Sequence, residues 1–123
     1  MRYLVVFGLA LLPLACGSQQ EKTSHGQPVS HWVEELKNPD PKARKKAVTA
    51  LGNFGAADPA VVPALAGALK DRDAGVRNQA ALALLHIGPD AKEALPALEE
   101  AKKDRDATVR TNAGKAVERI QSG

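Results

Sequence analysis

Apolar positions in this chain fall into short helical stripes parted by acid-containing turns, and the pattern recurs every 33 residues. Val62, Leu65, Ala66 and Leu69 stand at i, i+3, i+4 and i+7, one face of an amphipathic helix. They predict a helix within Asp58 to Lys70. After Asp73 come Val76, Ala80, Ala83, Leu84 and Ile87, a second helix, with Gly88 where a left-handed C-terminal residue is needed. The same stripe reappears as Ala43, Ala47, Ala50, Leu51 and Phe54, then Gly55, and again as Val109, Ala113, Ala116, Val117 and Ile120. Arg44, Arg77 and Arg110 share the offset, and Pro63 matches Pro96. A fixed period in this range marks stacked units, each unable to bury its apolar face alone. The reading is one all-α array at 28–123, with repeats of about 28–55, 58–88 and 91–121.

Asp40, Asp73 and Asp106 each precede a second helix and suit the N-cap, where a carboxylate accepts from an unpaired N–H of the first turn. Pro41 takes the first helical position, where its missing N–H does no harm. The two helices of each repeat are joined only through Asn38-Pro39, Asp71-Arg72 or Asp104-Arg105, and such short links force antiparallel hairpins. Trp32 aligns with Leu65 and Leu98, so it belongs to the first hairpin's core. Glu99 and Lys102 replace Ala66 and Leu69, the polar outer surface of a terminal repeat.

Ahead of the array the pattern is different. Residues 1–15 carry one charge, Arg2, and an apolar run from Leu4 to Leu12, too short to span a bilayer and fitting a secretory leader. Cys16, the only cysteine, follows Ala15, so no internal disulfide can form. The segment resembles a bacterial lipoprotein signal, which implies acylation of Cys16, although Pro13 stands where the lipobox favours Leu. Ordinary cleavage after Ala15 or Gly17 is the alternative, leaving a periplasmic or secreted soluble domain. Residues 16–27 read as the lipidated cysteine and a flexible polar tether, with His25 and His31 solvated.

The run Leu69-Lys70-Asp71-Arg72-Asp73-Ala74-Gly75-Val76-Arg77 and its copy from Lys102 to Arg110 resemble HEAT-like repeats of the phycobilisome-lyase type. Asn38-Pro39-Asp40 opens a weaker first copy. The resemblance covers 28–121 and implies a right-handed α-solenoid of three helical hairpins. It also implies an inter-repeat ladder of Arg44, Asp71, Arg77, Asp104 and Arg110, with Asn38 departing from it. Exposed pairs of this kind contribute about 0–1 kcal/mol each.

Chemistry is sparse. Iron-binding relatives of the resembled fold use repeated His-Glu dipeptides, and this sequence has none. No nucleophile–His–acid order, phosphate loop or metal-ligand spacing occurs, which argues against an enzyme and against any cofactor or metal. The formal charge of +3, with 17 basic and 14 acidic residues, is too small to argue for nucleic acid. Second helices of such arrays line the concave side. The exposed positions there are Lys45, Asn78 and Thr111, and one turn on Thr49, Leu82 and Lys115. They suggest a shallow basic groove for an acidic protein segment, against a plain solvated face. The expectation is an exported, lipid-anchored, non-catalytic scaffold of the bacterial envelope that meets the membrane through its N-terminal lipid. An accessory subunit or chaperone of a cofactor-bearing enzyme, and a purely structural lipoprotein, are the alternatives.

Overall fold

The computed structural model describes residues 24–123. The leader, Cys16 and the tether up to residue 23 lie outside the described residues. Six α-helices follow in the described chain: α1 Val29–Glu35, α2 Pro41–Phe54, α3 Val61–Ala68, α4 Ala74–Ile87, α5 Leu95–Ala101 and α6 Ala107–Ser122. They pair as three hairpins, and no strand occurs among the described residues. None of these helices is long and apolar enough to cross a membrane.

The second helices start where the aspartates place them. Asp40 accepts from the Lys42 N–H, Asp73 from Val76 N–H, and Asp106 from both Thr108 and Val109 N–H. Gly55 and Gly88 close α2 and α4 with φ of 64° and 73°, the sign expected. Their ψ values of −154° and −140° lie outside the left-handed helical region. The chain thus leaves each helix extended, in a conformation essentially reserved for glycine, and turns into a 3₁₀ segment, Gly55–Ala57 or Gly88–Ala94.

Packing between hairpins is uneven. Helices α2, α4 and α6 lie tightly side by side, while α1, α3 and α5 scarcely touch one another. Small residues permit the close layer. Ala47, Ala80 and Ala113 are wholly buried, and a side chain at Gly52 would meet the Ala83 Cβ at 3.1 Å. An array with its second helices closer together than its first helices curves toward the second-helix layer.

The apolar stripe is wider than its sequence spacing indicates. Val48 and Ala81 are fully buried although they lie outside the stripe read from periodicity. Both α2 and α4 pack against other hairpins, so one apolar face is not enough. The equivalent of Val48 and Ala81 in α6 is Gly114, where an added Cβ would meet nothing within 4 Å.

The folded unit begins earlier than the expected tether end. Ser24 and Gln27 exchange backbone hydrogen bonds of 2.9 and 3.0 Å around a turn with positive φ at His25 and Gly26. The Ser24 carbonyl accepts from Trp32 Nε1 at 3.1 Å, so the turn lies over the tryptophan. Trp32 is 4% exposed, as its core position requires, and His31 stands edge-on to its ring at 4.8 Å. The turn is therefore tied to the fold through Ser24 while His25, Gly26 and Gln27 stay exposed, and His31 is half-buried instead of solvated. The indole is the cause: burying it demands an acceptor for its N–H.

Candidate functional site

The hairpins are joined by a repeated two-point contact. Arg44 donates through Nε and Nη2 to both carboxylate oxygens of Asp71 at 2.8 and 3.0 Å, and Arg77 repeats the geometry on Asp104. The third guanidinium nitrogen binds back into its own hairpin. Nη1 of Arg44 reaches the Asn38 and Pro39 carbonyls, Nη1 of Arg77 the Asp71 carbonyl, and Nη1 of Arg110 the Asp104 and Arg105 carbonyls. Asp71 and Asp104 also accept from the N–H two residues on, at Asp73 and Asp106.

These pairs are not surface pairs. The Arg44 side chain is 3% exposed and its Asp71 partner 12%; Arg77 and Asp104 are at 8% and 11%. The expectation of wet, weak rungs is therefore corrected. The alanine-lined helices approach so closely that the arginines lie between hairpins. Burial alone pushes the Asp71 and Asp104 carboxyls up. The arginine hydrogen bonds, the backbone N–H bonds and the arginine charges outweigh it and hold both below the ordinary aspartate value. Hydrogen bonding to Asp71 and Asp104 in turn raises Arg44 and Arg77. Arg110 sits in the same register but is exposed and faces no carboxylate among the described residues.

The proposed inner face is less uniform than its sequence suggests. Lys45, Thr49, Thr111 and Lys115 are exposed, whereas Asn78 and Leu82 are half-buried. Asn78 accepts from Asn112 across the α4–α6 seam, so its carbonyl oxygen is already used. Lys45 leans over Gly75 of the next hairpin, where a side chain would meet its Nζ at 3.0 Å. Thr49 and Thr111 donate to carbonyls four residues back. What this layer offers is a pair of ammonium groups on the outer helices with a partly covered leucine between them.

Sequence reasoning missed a second concavity. A groove of about 670 Å³ opens between α1 and the link from α2 to α3, lined by Val29, Val33, Phe54 and Ala57 with Glu34 and Asp58 at its edge. The link differs from its counterpart at all five positions after the closing glycine, Ala56 to Ala60 against Pro89 to Glu93. Ala91 is fully buried in the second link, but its equivalent Asp58 is extended and caps Ala60, so the first link fills less of the wedge. The departure of this link from the repeat, with Asp58 standing where Ala91 is buried, is the sequence signal for it.

Among the described residues no group of three or more His, Cys, Asp or Glu is arranged to hold a metal. A family model described as HEAT repeats matches residues 29–118. No curated protein matches the chain. Solved structures similar to it include an engineered protein (27% identity, TM-score 0.64, covering 76% of this chain and 45% of that one). Human deoxyhypusine hydroxylase in complex with glycerol is also similar (27%, TM-score 0.64, 77% and 32%). A designed armadillo repeat protein in complex with the peptide (KR)4 shares the fold (24%, TM-score 0.61, 75% and 46%). The chain spans less than half the length of each.

Proposed function

Because the chain belongs to the family of HEAT-repeat proteins, we propose that it is a protein-binding scaffold module without catalytic activity. The observation that carries this reading is the division of labour along α2, α4 and α6. Positions needed for stacking are alike in all three hairpins, as at Ala47, Ala80 and Ala113. The sets Lys45, Asn78, Thr111 and Thr49, Leu82, Lys115 instead differ at every copy and keep exposed or half-buried side chains. Asn78 is bonded across the seam, and the exposed side chains that stacking does not constrain are free to recognise. Lys45 and Lys115 suit an acidic protein segment, and Leu82 offers an apolar contact between them. The reading extends to the whole chain as an exported protein held at a membrane by acylated Cys16; the leader-like pattern of residues 1–15 supports it.

The experiment is capture of partners from solubilised membranes by the protein and by the double variant Lys45→Glu, Lys115→Glu. The variant should lose an acidic partner while keeping its helicity and melting temperature, and added salt should weaken the same interaction. Undiminished capture by the variant, or binding indifferent to salt, rejects the inner face. A stoichiometric redox enzyme among the captured proteins would favour the accessory-subunit reading.

A further inference from the structure

The ladder contains its own template for a third rung. In α2 and α4 the arginine is fixed by Nη1 on the turn of its own hairpin at 2.8 Å, which leaves Nε and Nη2 for an aspartate. Arg110 has the first half of this arrangement, with Nη1 on the Asp104 carbonyl at 2.8 Å. Its Nε and Nη2 find no acceptor among the described residues. The planar fork is thus held in the pose that Arg44 and Arg77 use, and a fork of this shape matches a carboxylate at two points.

The surface beside it has changed to suit a polar visitor. Gly114, one turn on from Arg110, has open space above it, where its counterparts Val48 and Ala81 are buried. Lys102 and Glu118 replace Leu69 and Leu85. An apolar hairpin would find little to bury here, whereas a main chain bearing a carboxylate can approach closely over the glycine.

We propose that Arg110 and the notch at Gly114 form a docking site for an acidic turn of a partner protein, an aspartate two residues ahead of a helix cap. Asp71 before Asp73 and Asp104 before Asp106 show that recognition unit inside the chain. A second copy does not supply it head to tail, because Asp71 and Asp104 are engaged and the first turn carries Asn38 instead. The site is separate from Lys45 and Lys115, so it stands or falls independently of the inner face.

The probe is the blocked peptide Lys-Asp-Arg-Asp-Ala-Thr-Val, the sequence of residues 103–109, titrated into the ¹⁵N-labelled full chain. The local bond from the second aspartate's N–H to the first aspartate's carboxylate favours the bound turn in a short peptide. The Arg110 Nε–Hε resonance should shift saturably, and the Arg77 resonance should stay put. A peptide with the first aspartate replaced by asparagine should lose at least about tenfold in affinity, since it cannot offer two charged acceptors. Arg110→Lys should lose a similar factor with unchanged folding. No shift at Arg110, or equal shifts with both peptides, overturns the proposal. So does concentration-dependent self-association that protects Arg110, which would make a second copy the occupant.

Discussion

Arg77 reaches across the boundary between the second and third hairpins to grip both oxygens of Asp104, at 2.8 and 3.0 Å, with the two side chains almost withdrawn from water. The same grip joins Arg44 to Asp71, also at a separation of 27 residues. Each rung therefore fixes where one hairpin stands on the next.

Removing the arginine from an inner rung strands a carboxylate between hairpins. Breaking such a pair from one side costs on the order of 3 kcal/mol. Arg77→Ala should therefore lower the urea midpoint sharply, and Arg77→Lys should recover only part of the loss because it cannot bind at two points. Arg110→Ala, exposed and without a carboxylate partner among the described residues, should cost less than about 1 kcal/mol. Equal midpoints for the two alanine variants would refute the rung.

Acid should loosen the same joints. Asp71 and Asp104 have folded pKa values below those of the unfolded chain, so their contribution is complete above the unfolded value of about 3.9. It is lost as the pH falls through the lower folded value. Stability from this source should be flat from pH 7 to about 5 and decline below about 4. Denaturation curves of Asp104→Asn should show a lower plateau and a shallower acid limb than the parent; parallel limbs would contradict the linkage.

Two helical glycines should respond oppositely. A side chain at Gly52 would meet Ala83, so Gly52→Val should overpack the α2–α4 seam and cost about 1–3 kcal/mol. Gly67 in α3 faces open space, so Gly67→Ala should gain about 0.5–1 kcal/mol through helix propensity. Thermal melts of both variants read the two signs directly.

For Cys16, the expected outcome is acylation. Cys16→Ser should move the protein from the membrane pellet to the soluble fraction or leave it unprocessed, as read by fractionation and mass spectrometry of the mature N-terminus. A variant that still pellets and is cut at the same bond would sink the lipoprotein reading.

The hairpins were legible because stacking repeats both the apolar spacing and the capping aspartates at a fixed offset. The members of the ladder follow from the family resemblance, whereas the pairing of Arg44 with Asp71 and of Arg77 with Asp104 comes from the structure. The burial of those arginines was not legible, because it depends on how near the alanine faces bring α2, α4 and α6. Val48 and Ala81 escaped for a related reason: a helix with neighbours on two sides needs a second apolar face, which a one-stripe template overlooks. The turn at Ser24–Gln27 has no apolar residue to announce it and is fixed by the Trp32 N–H seeking an acceptor. On the inner face, the bond between Asn78 and Asn112 joins residues 34 apart, outside the repeat offset.

The unequal spacing of the two helix layers has a mechanical meaning. Sliding one hairpin along the next would tear both bonds of a fork at once. Spreading α1, α3 and α5 meets less resistance, because these helices touch one another little and α3 is joined to the third hairpin more through the 3₁₀ segment Gly88–Ala94 than through α5. The array is therefore stiff in shear and compliant in bending, like a leaf spring pinned along one edge. Its curvature should change more readily than the order and register of the leaves.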